Sequence, residues 1–319
     1  MYILSEKSIK KIANKNIAFN AVKDAFVAAY KGNGTVFPVV HGKGCEDGQT
    51  FSVKSGNLNK ARIVGFKTGS YWPGNYIKGT PNHGTTTVLL DENTGYARAV
   101  LNAGYLNGLR TAAANAVASF YLAREDASVL GVIGAGHQAI FEIKAVCAIR
   151  NIENIFIYSR NEKTVINAIA ELSSCGINAL ACNAKEACQN ADILITVTGA
   201  RAALFDADWI KLGTHISAMG ADQPGKQELP VELVLKSTLF ADYPPQSKIN
   251  GEFESAFKKN SKVVITPIGA VLTDDHCGRS NDQEITIFDS SGIALQDLCV
   301  AQAVLTEAIS QNLTQEVEF

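Results

Sequence analysis

The chain has 319 residues, is 46% hydrophobic and 19% charged, and carries a formal net charge of −2. That length leaves room for two domains and for a sizeable core without disulfides or metals. With no basic run and no acidic tail, the sequence lacks the charge signature of a nucleic-acid or anionic-membrane binder, so neither partner is expected.

The seven cysteines form no CxxC pair and no Cys/His cluster of zinc spacing. They read as free thiols in a reducing cytoplasm, and no metal is expected. The first residues lack the apolar core of a signal peptide, and no stretch is long and apolar enough to span a bilayer, so the expected location is cytoplasmic.

Residues 5–31 keep the spacing of helices, with Ile9, Ile12, Ala21, Val22, Ala25 and Phe26 on the apolar stripe. Short β-prone runs follow at 50–53, 63–68, 85–90 and 97–101, separated by Gly, Pro and Asn clusters, which predicts an antiparallel sheet with a hairpin at 89–96. Residues 109–124 are Ala-rich and helical. From Ala127 the rhythm turns to strand–helix–strand. The continuous apolar run 129–133 reads as a parallel strand covered on both faces. A helix at 137–149, a strand at 154–158, a helix at 162–175 and strands near 177–180, 192–197, 215–218 and 238–241 continue the pattern. The fold class is therefore α/β, a Rossmann-type doubly wound parallel sheet beside an α+β domain. A last helix at 295–310 is expected to return to the first domain. The expected boundaries are 1–122 with 295–319 for substrate binding and dimerisation, and 123–294 for the dinucleotide.

Gly134-Ala135-Gly136-His137-Gln138-Ala139 fits the pattern GxGxxG/A, and it follows an apolar strand and opens a helix, the context the pattern requires. Gly134 permits the tight turn, Gly136 lets backbone approach a pyrophosphate, and Ala139 lets the helix pack on the strand. The helix N-terminus then favours phosphate charge. The second strand of the unit ends in Ser159-Arg160 rather than the acidic residue that accepts from ribose hydroxyls in NAD-selective sites. Arg160 can pair with a 2′-phosphate, which favours NADP(H), with NAD(H) as the alternative; it also reads as a solvated surface arginine. Thr196, Val197 and Thr198 end the fourth strand and are expected to pass beneath the cofactor ribose, or simply to end the strand.

In the first domain, Lys67 lies at a predicted strand end and Arg110 at a helix start, followed by Thr111. Two fixed cations can clamp a carboxylate, Arg110 bidentately, although each also reads as a surface charge. Asp222 follows the fifth strand of the dinucleotide domain, where strand ends face the ligand crevice. It reads either as a partly desolvated general acid/base or as an Asx-turn. The polar run Asp274, Asp275, His276, Arg279 and Asp282 reads as a loop near the cofactor edge rather than a metal site.

Taken together, the segments 67–75, 109–113, 134–139, 220–229 and 288–292 resemble the ornithine cyclodeaminase/μ-crystallin family over nearly the whole chain. The resemblance implies a homodimer built through the first domain, a small imino- or amino-acid substrate whose carboxylate binds Lys67 and Arg110, Asp222 as catalytic acid/base, and Ser290 near the nicotinamide. It also implies that Thr111, Gly134 to Gln138, Ser159, Arg160 and Thr196 to Thr198 contact the cofactor. One departure stands out. The family arginine expected after the early proline is missing from Phe37-Pro38-Val39-Val40-His41-Gly42-Lys43, leaving His41 and Lys43 as candidate stand-ins. The acidic residue that would hold an ornithine side-chain amine is also not evident at 49–54. The expected activity is NAD(P)H-dependent reduction of a cyclic imine, 1-pyrroline-2-carboxylate to L-proline. A cyclodeaminase, an alanine dehydrogenase-like enzyme and a non-catalytic NADPH-binding protein are the alternatives.

Overall fold

The computed structural model describes residues 1–318. The chain divides into two compact units, Met1–Arg110 with Ile293–Phe319, and Thr111–Gly292. This division differs from the expected boundary at residue 122.

The first unit begins with β1 (Tyr2–Leu4), α1 (Glu6–Ile12) and α2 (Lys15–Tyr30). Asn14 caps α2 by accepting from the amides of Asn16 and Ile17. Six strands follow: β2 (Gly34–Val36), β3 (Val40–Lys43), β4 (Thr50–Leu58), β5 (Ile63–Tyr71), β6 (His83–Leu90) and β7 (Ala97–Asn102). The hairpin between β6 and β7 is held by Asp91, which accepts from the amides of Asn93 and Thr94. The helix α3 (Gly104–Leu122) starts five residues earlier than residue 109, where the Ala-rich pattern becomes plain.

The second unit runs through β8 (Val129–Ile133), α4 (His137–Val146), β9 (Asn154–Tyr158), α5 (Glu162–Ser174), β10 (Leu180–Ala181), α6 (Ala184–Asn190), β11 (Ile193–Thr196) and β12 (His215–Ala218). It continues with α7 (Val231–Lys236), β13 (Thr238–Ala241), α8 (Pro244–Asn250), α9 (Glu254–Lys259), β14 (Ile265–Pro267), α10 (Ile268–Val271) and β15 (Thr286–Asp289). The chain then returns to the first unit through α11 (Ala294–Ser310) and β16 (Gln315–Glu316).

The first unit's sheet has the order β16-β1-β7-β6-β5-β4-β2, with β3 also on β4. Its pairings are antiparallel except that β1 runs parallel to β7. The helix α11 lies against β4, β5 and β6, with Leu295 and Leu298 over Gly56 and Gly65.

The second unit's sheet is wholly parallel, in the order β10-β9-β8-β11-β12-β15-β13-β14. The order reverses direction at β8, so the crevice of a doubly wound sheet opens beyond the carboxyl ends of β8 and β11. Leu130, Val132, Ile193, Leu194 and Ile195 are fully buried, as parallel strands covered on both faces require. Two expectations are corrected. The strand near 177–180 is reduced to the edge pair Leu180–Ala181, both exposed and lacking a second neighbour. The helix from 137 ends at Val146, before the expected 149. Among the described residues no helix is long and apolar enough to cross a membrane.

Candidate active site

The candidate residues fall into two groups, one in each unit. In the second, the turn after β8 carries the glycines. Gly134 has φ +118°, and a Cβ there would lie 2.5 Å from the carbonyl oxygen of Val197, so only glycine fits between β8 and the end of β11. Gly136 is the N-cap of α4 with no side chain to bond the helix amides, and a Cβ there would meet nothing within 4 Å. The turn's outer side is therefore open, at the N-terminus of a ten-residue helix. Ala135 and Ala139 are buried beneath it. His137 is exposed, and Gln138 donates to the buried Glu142 at 2.6 Å. These features fit a dinucleotide pyrophosphate.

At the end of β9, Ser159 is half-buried and Arg160 exposed. The neighbouring Asn161 caps α5 through the amide of Lys163. Thr111 is half-buried on α3. Ser290 follows β15, is buried, donates its amide to Ala218 at 3.2 Å and its hydroxyl to Asp242 at 3.4 Å.

Thr196 and Thr198 at the end of β11 both donate their hydroxyls to the buried Glu228, at 2.8 Å each. Glu228 also accepts from the amides of Thr198 at 2.6 Å and Gly220 at 2.9 Å. Its own amide and that of Leu229 donate to Glu252. Burial pushes the Glu228 carboxyl up, and its hydrogen bonds from Thr198, Thr196 and Gly220 oppose this without reversing it. The loop that carries Asp222 is thus pinned at both ends to strand termini.

The side chain of Asp222 is half exposed, and it forms an ion pair with Lys226 at 2.6 Å. Lys226 also donates to the carbonyl of Gly220, which folds the loop back on itself. Gly225 occupies positive φ, at +75°, and its amide donates to Glu254 at 2.7 Å.

In the first unit, the structure brings Lys67 and Arg110 together on one carboxylate, Asp297, in the first turn of α11. Lys67 Nζ lies 3.1 Å and Arg110 Nε 3.0 Å from Asp297 Oδ1. The arginine contact is Coulombic, because its Nε–H is not aligned as a hydrogen bond. Arg110 also donates to Asn107 at 2.9 Å and to Gln296 at 3.3 Å, and Lys67 shares Asn107. All three charged side chains are less than a tenth exposed. Asp297 Oδ2 and Gln296 Nε2 are buried without a hydrogen bond. Burial, then Arg110, pulls the Lys67 ammonium down to about 7, against the opposing effect of Asp297. Burial raises the Asp297 carboxyl, but Arg110 and Lys67 outweigh it and hold it below 3.8. Two buried cations against one carboxylate leave excess positive charge, which an anionic ligand would balance.

Asp297, Asn107 and Glu228 were given no role by sequence reasoning. The one signal for Asp297 is an acidic residue in the first turn of a largely apolar helix, which also reads as a favourable helix-dipole charge. His41 and Lys43, in the stretch lacking the family arginine, lie exposed on β3. The loop of Asp274 to Asp282 is organised by Arg279, which donates to the carbonyl of Leu122 at 2.8 Å and to Thr286 at 3.0 Å. Among the described residues no cluster of His, Cys, Asp or Glu is placed to hold a metal ion.

A parallel doubly wound sheet with a glycine turn at its switch point, joined in one chain to a domain with buried basic side chains, defines a class of nicotinamide-dinucleotide enzymes acting on small acids. The chain belongs to the ornithine cyclodeaminase/mu-crystallin family, whose model matches residues 2–312. It is 36% identical to the alanine dehydrogenase of Archaeoglobus fulgidus over 99% of this chain and 98% of that protein. The crystal structure of the iminosuccinate reductase of Paracoccus denitrificans in complex with NAD+ is 35% identical, with TM-score 0.93, covering 100% of this chain and 99% of the other. The Δ1-pyrroline-2-carboxylate reductase of Thermococcus litoralis, in complex with NADH and L-proline, is 29% identical with TM-score 0.92, covering 99% and 100%. These relatives are nicotinamide-dependent oxidoreductases acting on carbon–nitrogen bonds, and a nicotinamide cofactor fits the turn after β8.

Proposed function

We propose that this protein reduces the C=N bond of a 2-imino carboxylate to the corresponding amino acid with NAD(P)H. The observation that carries the reading is the buried pair Lys67 and Arg110, two cations on one internal carboxylate, in a chain that also carries an open dinucleotide turn. Lys67 and Arg110 bind the substrate carboxylate, the arginine through its planar fork. Asp222 holds or delivers the proton that the substrate nitrogen gains, with Lys226 keeping its carboxylate in place. The nicotinamide, when bound, supplies hydride to the imine carbon and is oxidised. The balance is one hydride to carbon and one proton to nitrogen, with no other reactant.

The cyclic candidate is 1-pyrroline-2-carboxylate, giving L-proline. A second reading, the imine of an open-chain 2-oxo acid with ammonia, is favoured by a specific observation: the alanine dehydrogenase and iminosuccinate reductase relatives match over their full lengths at 36% and 34% identity. The exposed Arg160, with no carboxylate at the end of β9, supports NADP(H) over NAD(H). A homodimer is the proposed assembly, supported by the archaeal alanine dehydrogenase, which is described as a dimer.

The test is loss of reduced-nicotinamide absorbance on mixing the protein with 1-pyrroline-2-carboxylate, or with pyruvate or oxaloacetate plus ammonia, using NADPH and NADH in turn. Stoichiometric oxidation with the matching amino acid as product is expected. No consumption with any imine and either cofactor would sink the reading, and light scattering checks the dimer.

A further inference from the structure

The carboxyl ends of β12, β15 and β13 lie side by side, with Ala218, Asp289 and Ala241 in register. Ligands of a doubly wound sheet bind beyond such ends. The chain leaving β12 leads to Asp222, that leaving β15 is Ser290-Ser291-Gly292, and that leaving β13 begins with Asp242. The Ser290 amide donates to the carbonyl of Ala218 at 3.2 Å, which ties this turn to the strand carrying the Asp222 loop. Asp242 is 2% exposed. Its Oδ2 accepts from the Gly292 amide at 2.7 Å and the Ser290 hydroxyl at 3.4 Å. Its Oδ1 accepts from the Ser291 hydroxyl at 3.2 Å and the Tyr243 amide at 2.7 Å. Its own amide donates to the carbonyl of Asp289 at 3.1 Å. Gly292 sits at φ +76°, and Gln246 on α8 donates to the Ser291 hydroxyl and the Gly292 carbonyl, at 2.9 Å each. One buried carboxyl thus gathers all three residues of the turn. A carboxyl buried this deeply is costly unless it is hydrogen-bonded, so the turn and Asp242 hold each other in place.

The glycine turn ends β8, where the strand order reverses. Arg160, at the end of β9, lies to one side of it, and β11, β12 and β15 follow on the other. A dinucleotide with its pyrophosphate on the glycine turn and its adenosine ribose at β9 has the β11 side left for its nicotinamide. We infer that Asp242 is a positioning residue for that half of the cofactor. By holding Ser290, Ser291 and Gly292 in one turn, it fixes the wall of the crevice against which the nicotinamide riboside rests. Asp242 acts through the turn and touches no ligand itself. Loosening the turn costs affinity for the nicotinamide half and slows hydride transfer, while the adenosine half binds as before.

The inference rests on the proposed use of a nicotinamide dinucleotide, and its test separates the two. Calorimetry compares NADH and NADPH with ADP-ribose and 2′-phospho-ADP-ribose, which lack the nicotinamide. The emission of the bound reduced nicotinamide is recorded alongside. Asp242→Asn turns one acceptor oxygen into an NH2 that faces the turn's donors. It should weaken NAD(P)H binding by about 10-fold or more, as when a buried donor loses its acceptor, and change the nicotinamide-free ligands by less than about twofold. The emission should move toward that of free cofactor. Gln246→Met removes two bonds from the same turn and should act in the same direction by a smaller factor. Equal losses for both kinds of ligand, or NAD(P)H affinity and emission left at wild-type values, overturn the role of Asp242. If Asp242→Asn unfolds, shown by its thermal midpoint and the loss of both kinds of ligand, Gln246→Met decides on the same readouts. If the wild type consumes no imine while the variants lose the nicotinamide-dependent part of the affinity, the reductase reading fails and the role of Asp242 stands. If imines are reduced and the variants lose no such affinity, the reverse holds.

Discussion

Glu228 accepts both the amide and the hydroxyl of Thr198 on a single oxygen, Oε1, at 2.6 and 2.8 Å. Its other oxygen takes the Thr196 hydroxyl and the Gly220 amide. Four donors converge on one buried carboxyl, and the loop bearing Asp222 leaves from one of them. Glu228→Gln replaces one oxygen with an NH2 that faces donors it cannot accept. The substitution should destabilise the protein by about 1–3 kcal/mol, as expected when a buried donor loses its acceptor. It should also lower kcat by loosening the loop. Urea unfolding and steady-state rates check this, and a variant as stable and as fast as the wild type would show that the carboxylate is not the clamp.

Lys67 gives a pH signature. Burial and Arg110 bring its ammonium down to about 7, and only the protonated form attracts a carboxylate. With free enzyme, kcat/KM should therefore decline as pH rises through about 7. A bound carboxylate stabilises the ammonium, so the same limb in kcat should appear at higher pH. Lys67→Arg keeps its charge throughout and should lose the limb, at reduced overall efficiency because the guanidinium does not fit the ammonium's position. A wild-type profile that is flat between neutral and alkaline pH would refute the role.

The strand Val129–Ile133 is legible because a parallel strand under helices is a near-continuous apolar run. The strands Asn154–Tyr158, His215–Ala218 and Thr238–Ala241 are legible as short β-prone segments in the strand–helix rhythm. The edge strand β10 was misplaced since Leu180 and Ala181 have one paired neighbour and little burial. The short β2, β3 and β14 sit among Gly and Pro residues that read as turns. The glycine turn, Lys67 and Arg110 were visible as motifs. Asp297 was not, because it meets Lys67 across 230 residues of sequence. That Lys54 stands opposite Lys67 follows from strand register, which is not a local property.

Glu252 and Asp289 predict how stability varies with acidity. Burial, then the neighbouring Glu228, pushes Glu252 well above 4.5. Burial, then Asp242, pushes Asp289 well above 3.8. In each case the folded state holds its proton at pH values where the unfolded chain has lost it. Their contribution is thus full below the unfolded values and is lost as pH rises through the folded ones. Unfolding free energy should fall on going from about pH 4 toward neutral for this pair, and Glu252→Gln, which cannot ionise, should flatten the slope. Urea titrations across that range decide it; an unchanged slope in the variant would mean that Glu252 is ionised in the fold.

Arg160 is tested by cofactor choice. It is exposed at the end of β9, between Ser159 and Asn161, where NAD-selective sites carry an acidic residue. Arg160→Ala should raise KM for NADPH by about 10- to 100-fold, the worth of a charge-assisted pair, and change that for NADH far less. Equal effects on both cofactors would assign Arg160 to adenine stacking or to the surface.

The proton role proposed for Asp222 is the one whose test bears most directly on the chemistry. Lys226 holds its carboxylate at 2.6 Å, an arrangement that keeps the side chain oriented while leaving it half exposed. An imine nitrogen must carry a proton for the carbon to accept hydride readily, and the product amine must keep one. Asp222→Asn preserves size and can still meet Lys226 through its carbonyl oxygen, but it neither takes nor gives a proton. A fall in kcat of about 100-fold or more is expected, with dinucleotide affinity little changed, since general acid–base catalysis contributes on that order. Lys226→Met should give a smaller loss, because it frees the carboxylate without removing it. Single-turnover oxidation of bound NAD(P)H measures the step directly. If Asp222→Asn turns over at the wild-type rate, the proton comes from elsewhere, and Lys67, whose ammonium titrates near neutrality, becomes the group to test next.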